Sequence, residues 1–368
     1  MNAHPRHDPR QAVPDTAGAI EVDLVEGLDG LSSLGSEWDT LFEQAAMPHQ
    51  LFQRHALLMH WARHFGRPRD RLLVVAVRRC GRLVMVWPLV SRRRFGLTVL
   101  RLMGEPIAQF GDILVAPGIG PQAIAAAWQA VDRLRFDILL LRNVRSDSAL
   151  KHVLGARGRV ALRAACAPRV DLAAAVEPDG PGSHYSAKYR SNYRRRLRHL
   201  EEHGEVAFGE AEGMEASRLV EHAIALKSRT LARRRRRSPV SDPRFLSSFM
   251  AIARDCPRRC GLVVSGLNVN GKAVAADLSF DCKGETFGYL TVHDPAFSRD
   301  GLGTILIHHV FAAAQRRGSR AFDMMAPADG YKLQHASGSV ELCDLAVAGS
   351  LSGHAALAVW RIALGLKR

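Results

Sequence analysis

Apolar and polar positions along the chain fall into one series of elements written twice. Residues 72–90, LLVVAVRRCGRLVMVWPLV, and residues 262–280, LVVSGLNVNGKAVAADLSF, each read as an apolar run, a glycine-bearing turn and a second apolar run. That is the pattern of a β-hairpin, with Cys80-Gly81 and Asn270-Gly271 at the turns. FGDILVAPGIG from Phe110 and FGYLTVHDPAF from Phe287 each predict a strand running into a Pro/Gly loop. Each loop opens an alanine-rich stretch of helical spacing, PQAIAAAWQAVDRLR in the first half and GTILIHHVFAAAQRRG in the second. Short strands headed by Phe136-Asp137 and Phe322-Asp323 follow. Helical segments precede each hairpin: LGSEWDTLFEQA and HQLFQRHALLMHWARHF before the first, EASRLVEHAIALKSRTLA and DPRFLSSFMAIARD before the second. The recurrence at about 180 residues, with matching FG and FD dipeptides, favours a duplication over coincidence.

The architecture this predicts is mixed α/β (α+β): two tandem units, each a central mixed β-sheet flanked by helices. Periodicity lapses over AAAVEPDGPGSHYS, residues 173–186, which marks the boundary. We therefore expect an N-terminal unit over 19–175, a C-terminal unit over 176–352 and a closing amphipathic helix over 353–368. Residues 1–18 lack the apolar segment of a signal peptide and read as a disordered lead-in. No apolar run reaches the ~18 residues a membrane span needs. At 368 residues the chain is long enough for two cores.

Charge adds something the pattern does not. The apolar share of 47% and charged share of 24% are ordinary, but the net charge is +15. Such an excess attracts polyanions: nucleic acid, anionic lipid or phosphate-bearing substrates. No helix-turn-helix, zinc-finger or OB pattern accompanies it, so DNA is not an expected partner. Much of the charge sits in SAKYRSNYRRRLRHLEEHGEV. Here Tyr189, Tyr193, Leu197 and Leu200 share one helical face, and Arg190, Arg194 and Arg198 form a stripe with Lys188, Arg195 and Arg196 alongside. Acids answer only at the C-terminal end, at Glu201 and Glu202. The open end is expected to face a phosphate-bearing donor or acceptor, with a solvated helix face as the alternative. Arg233 to Arg237 poses the same choice.

The six cysteines imply free thiols in a reducing, cytoplasmic setting. Cys256 and Cys260, with Cys282 nearby, lack zinc-knuckle spacing and an evident fourth ligand, so no metal is expected. The terminal GHAALAVWRIALGLKR suits a packed closing helix, with peripheral membrane contact at most as its alternative.

Three stretches carry a family resemblance: the basic SAKYRSNYRRRLRHLEEHGEV, then HDPAFSRDGLGTILIHHVFAAAQRRGSRAFDM, then ADGYKLQHA with its Asp-x-Tyr-Lys. EWDTLFEQA, PHQLFQ and VMVWPLV in the first half also fit. In this order and spacing the chain resembles the GNAT acyltransferase superfamily in a FemAB-like tandem arrangement. More specifically, it is similar to CelD-like acetyltransferases associated with bacterial cellulose and exopolysaccharide synthesis. The resemblance implies acyl-CoA (acetyl-CoA) as co-substrate, a small-molecule or saccharide acceptor, and association with polysaccharide-synthesis machinery. One position departs from the superfamily pattern. Where an Arg or Gln usually stands three residues before the first glycine, this chain has Ser298, with Arg299 one step along.

Acyl transfer requires a held donor, a deprotonated nucleophile and a stabilised oxyanion. Arg299, Gly301, Leu302, Gly303 and Thr304 form a glycine turn opening a helix, suited to phosphate, with plain helix capping as the alternative. Asp277, an acid within an apolar strand, is a candidate general base if it does not simply face solvent. His293 and Asp294 stand where the next strand enters the glycine loop, and histidine suits proton removal near neutrality. Tyr331 is a candidate to return a proton to the departing thiolate. Lys332 is a candidate to hold an anionic group, with Asp329 beginning the turn. Lys188, Arg190 and Arg194 complete the expected substrate contacts. With no Ser-His-Asp or Cys-His arrangement legible, direct transfer is preferred over a covalent intermediate.

Two rival readings remain. One is a FemAB-like transferase drawing its aminoacyl group from tRNA, the other a non-catalytic GNAT-like subunit of a polysaccharide-synthesis complex. The APGIGPQ loop of the first half has Pro121 near its helix start and no basic residue, so that unit is expected to be structural.

Overall fold

The computed structural model describes residues 19–155, 160–173, 177–179, 185–233, 235 and 238–363, with the backbone alone for 298–300. The lead-in 1–18, His184, the Arg299 side chain, Arg234, Arg236, Arg237 and the last five residues lie outside that description.

In chain order the first half comprises β1 (Ile20–Glu26), α1 (Gly27–Ser33), α2 (Gly35–Ala45), α3 (His55–Phe65), β2 (Arg71–Arg79), β3 (Arg82–Arg94) and β4 (Leu97–Leu102). It continues with β5 (Leu114–Val115), α4 (Pro121–Arg133), β6 (Ile138–Arg145), α5 (Ala149–Leu154) and β7 (Val160–Asp171). The second half begins with α6 (Ala187–Glu201), β8 (Val206–Ala211), α7 (Gly213–Arg233), α8 (Pro243–Asp255) and α9 (Pro257–Cys260). It then runs β9 (Leu262–Val269), β10 (Lys272–Cys282), β11 (Glu285–His293), α10 (Leu302–Arg316) and β12 (Ala321–Asp323). The last elements are α11 (Gly330–Leu333), β13 (Gly338–Ala348) and α12 (Leu351–Ala363). Among the described residues no helix is long and apolar enough to cross a membrane.

The strands join in one sheet ordered β1-β2-β3-β4-β6-β13-β7-β12-β11-β10-β9-β8, with β5 pairing β3 off this path. The two flanks repeat one pattern. Antiparallel β2–β3 and β3–β4 with parallel β4–β6 correspond to antiparallel β9–β10 and β10–β11 with parallel β11–β12. At the centre the last strands are exchanged: β13 pairs β6, β7 pairs β12, and β7 pairs β13. Each half therefore completes the sheet of the other.

The predicted hairpins form as read, at β2–β3 and β9–β10. The FGDILVAPGIG segment does not. Only Leu114–Val115 is strand, and the position matching β11 belongs to β4. The cause is Asp112, a buried carboxylate that fixes Phe110–Ile113 as a loop. It accepts from Ile113 N at 2.9 Å, Ser148 Oγ at 2.6 Å, Leu150 N at 3.0 Å and Gln50 Nε2 at 3.0 Å.

One sheet face carries α1–α3 and α7–α9, and their side chains share a single apolar cluster spanning both halves. Phe52 of the first half meets Phe280 edge-on at 5.9 Å, and Phe110 meets Phe287 at 6.2 Å. The other face is covered in sections, by α4 and α5 over one flank, α10 over the other and α12 near the centre.

An ion pair crosses the central strands. Arg145, ending β6, donates from Nη1 to Asp323 Oδ2, ending β12, at 2.7 Å, and its guanidinium lies 4.7 Å over the Phe110 ring. Burial works against the Arg145 charge, but Asp147 and Asp323 hold its pKa above the ordinary value. Removing one partner strands the other's charge in the interior. Arg145→Met should therefore cost about 3–5 kcal/mol, read as a lower denaturant midpoint. Adding Asp323→Leu should cost less than the sum of the single changes, because no unpaired carboxylate remains.

Candidate active site

β11 and β12 pair only over Glu285–Phe287 and Ala321–Asp323, then separate. From Gly288 onward the β11 edge has no β12 partner, and this bare edge borders two adjoining cavities. Lys227, Thr291, Ile307, Asp329 and Tyr331 line both, so the cavities form one cleft with a junction at these residues.

The larger cavity, about 900 Å³, opens onto the first turn of α10. Gly301 caps that helix in the left-handed region, at φ +66°, where a side chain is strained. A Cβ there would also collide with the side chain of Arg196, which lies across the glycine. Arg196 Nη1 donates to Thr304 Oγ1 at 3.0 Å, fixing a guanidinium over the positive end of a 15-residue helix. Leu302 turns its side chain into the core with Ile305 and Leu306, leaving its backbone at the helix mouth. Lys227, Thr230 and Arg233 line the same cavity from α7. A guanidinium thus reaches this helix mouth from α6. Arg196 carries no local sequence signal that separates it from its arginine neighbours.

The smaller cavity, about 430 Å³, is walled by both halves. Glu105, Gln109, Phe110, Arg142 and Asn143 come from the first, Tyr289, Tyr331 and Lys332 from the second. Glu105 is ion-paired with Arg101, yet its Oε1 is buried without a hydrogen-bond partner. Burial pushes its pKa up against the lowering effect of Arg101 and Arg142. Glu105 belongs to no motif; it follows β4 in a loop whose course depends on tertiary packing.

The sequence-predicted residues divide by position. Gly301, Leu302, Gly303, Thr304 and His293 line the larger cavity, Lys332 the smaller, and Asp329 and Tyr331 both. His293 is exposed beside Gly303; partial desolvation and the Lys227 ammonium hold its pKa below the usual imidazole value. Tyr331 is 49% exposed, and burial of its inner side, with the Asp329 and Asp277 carboxylates, pushes its phenol up to about 12. Lys332 Nζ is buried and donates to Met325 O at 2.9 Å; desolvation lowers its pKa.

Of the remaining candidates, Asp277, Asp294, Lys188, Arg190 and Arg194 line neither cavity. Asp277 is fully buried rather than solvent-facing, bonded by Ser279 Oγ and, at 2.7 Å, by Thr291 Oγ1, and burial raises its pKa. Its hydrogen-bond link to the cleft is Thr291. Asp294 caps the 3-10 turn Pro295–Asp300 by accepting from Ala296 N at 2.9 Å. Lys188 is exposed, Arg190 donates to Tyr185 O at 2.8 Å, and Arg194 pairs with Asp179 at 2.6 Å. The apolar face of α6 points inward as expected, with Tyr193, Leu197 and Leu200 in the α10 core and Tyr189 Oη 2.9 Å from His308 Nε2.

Residues 187–333 match the family described as Acetyltransferase (GNAT) domain, a span that runs from α6 to α11 and includes the α10 mouth and Tyr331. The chain carries a GNAT acetyltransferase domain, and the protein is an acyltransferase. No protein among curated sequences matches it. The fold is similar to that of FemX, at TM-score 0.62 and 9% identity over 89% of this chain and 98% of that one. It is also similar to a tandem GNAT protein from the clavulanic acid biosynthesis pathway, at 0.52 and 15% over 90% and 99%. A third similar structure is the C-terminal domain of a putative lysylphosphatidylglycerol synthetase from Agrobacterium fabrum, at 0.54 and 14% over 89% and 96%.

The environment of His293 is directly measurable. Its ring should titrate below the ordinary 6.5 in an NMR pH series, so the neutral form persists into mildly acidic solution. Lys227→Met removes a repelling cation and should move that titration upward.

Proposed function

We propose that the protein transfers an acyl group directly from acyl-CoA, with acetyl-CoA as the simplest donor, to an amine or hydroxyl acceptor. The observation that carries this reading is Arg196 fixed over the glycine-capped mouth of α10, inside a cavity of about 900 Å³. A pyrophosphate there meets free backbone N–H groups, the helix's positive end and a guanidinium together. The acyl end of the donor then lies along the bare β11 edge, whose backbone N–H groups suit a developing oxyanion. The acceptor occupies the smaller cavity, where the Glu105 carboxylate takes its proton. Tyr331, bordering both cavities, hydrogen-bonds the departing sulfur. On this reading Asp277 positions Thr291, His293 walls the donor site, and Asp329 and Lys332 fix the α11 loop and the acceptor's polar groups. A saccharide or cell-envelope precursor of exopolysaccharide synthesis remains the acceptor class we favour, from the CelD-like motifs.

A second reading, aminoacyl transfer from tRNA, draws on the FemX-like fold and the net charge of +15. The same cationic cavity would then grip an RNA terminus. Calorimetric titration separates the two. Saturable CoA binding, weakened more than about tenfold by Arg196→Ala with an unchanged melting temperature, supports the acyl-CoA donor. A response to tRNA alone, falling steeply with salt, replaces it with the second. In either case Glu105→Gln should lower kcat by about 10²–10⁴-fold with the donor still bound, measured by steady-state acyl transfer.

A further inference from the structure

Away from the cleft, one side-chain cluster joins the two halves of the chain. His60 lies on α3 of the first half, which packs against α8 of the second. Cys256 ends α8 and caps α9, and Cys260 closes α9 four residues later. That spacing turns both thiols to one side. His60 Nε2 lies 2.9 Å from Cys256 Sγ, and the two sulfurs are 3.3 Å apart. All three potential ligand atoms fall within 4.8 Å of one another. Cys260 and His60 are buried, while Cys256 is half-buried and borders solvent. None of the three lines either cavity.

We propose that His60, Cys256 and Cys260 bind a zinc-class divalent cation that ties α3 to the α8–α9 corner, with water in the fourth position. Tetrahedral Zn²⁺ with bonds of about 2.3 Å to sulfur and 2.0–2.1 Å to nitrogen places its ligand atoms about 3.6–3.8 Å apart. The His60–Cys256 and Cys256–Cys260 spacings need to open by roughly half an ångström, a side-chain adjustment rather than a backbone one. Two thiolates cancel the ion's charge, the neutral imidazole supplies the third bond, and the two thiol protons pass to solvent. The solvent side of Cys256 leaves room for the water. The contiguous sequence hides this site because the third ligand stands nearly two hundred residues before the two cysteines.

The test is titration of the full-length, reduced protein with Co²⁺ alone. Expected is an intense thiolate-to-cobalt absorption with tetrahedral d–d bands, saturating at one ion per chain and bleached by Zn²⁺. Zn²⁺ should also raise the unfolding temperature saturably. Cys256→Ser and His60→Gln, each shown to be folded by circular dichroism, should each weaken binding at least about tenfold. Absence of the thiolate–cobalt band in the folded protein overturns the proposal. A band that survives Cys256→Ser does so too. So does a Cys256–Cys260 disulfide that forms equally well with stoichiometric Zn²⁺ present.

Discussion

The buried pair between Arg145 and Asp323 sits where the architecture would be weakest. A duplicated α/β unit could fold as two separate sheets, each with its own edge. Here the closing strands are exchanged, β13 beside β6 and β7 beside β12, and the pair joins the ends of β6 and β12 across that exchange. A buried charge pair is costly to bring out of water, so it adds less to net stability than to the definition of one arrangement. Asp323 also accepts from Met325 N at 2.8 Å, orienting the chain as it leaves the sheet toward α11. That turn delivers Tyr331 to the junction of the cavities. The central register and the position of the candidate catalytic loop therefore depend on the same carboxylate.

A continuous sheet also explains why the cleft needs both halves. Parting of β11 from β12 opens a wedge, and the first half closes its far side with Glu105, Phe110 and Arg142. The Asp112 hub that keeps Phe110–Ile113 out of a regular strand lets this wall bend over the wedge. The helix faces agree with this division. The face bearing α1–α3 and α7–α9 has one apolar cluster common to both halves, which holds the wall at a fixed distance from the β11 edge.

Much of this was legible in the sequence, and the failures have physical causes. Hairpins with Gly turns and amphipathic helices are local, so LLVVAVRRCGRLVMVWPLV and GTILIHHVFAAAQRRG announce themselves. β7, VALRAACAPRVD, escapes because alanine and arginine replace the usual β-branched run; its strand character comes from pairing with β13 along most of its length and with the short β12 at its end. In the site, the glycine mouth and Asp-Gly-Tyr-Lys were visible as spacing. Charge was read too broadly. Of the arginines on α6, the one that reaches the helix mouth is Arg196, whereas Arg190 and Arg194 are engaged by Tyr185 O and Asp179. Which side of a helix faces a cleft is a tertiary property, and an arginine stripe alone does not encode it.

On the proposed mechanism, the ionisation of Tyr331 limits what it can do. A phenol pushed up to about 12 stays protonated throughout the working range, so it serves as a hydrogen-bond donor and never as the base. Full transfer of its proton to a thiolate, whose conjugate acid has a pKa of about 8.5, is uphill. Tyr331 therefore stabilises the departing sulfur by a hydrogen bond while water supplies the proton that completes the thiol. The upward shift comes from burial first and then from Asp329 and Asp277, and Asp277 is itself too buried to trade protons with a substrate. Its contribution is electrostatic and positional, through Thr291 and the Tyr331 phenol. That leaves Glu105, with a buried oxygen that has no hydrogen-bond partner and a pKa raised by burial, as the group in the acceptor cavity suited to take a proton.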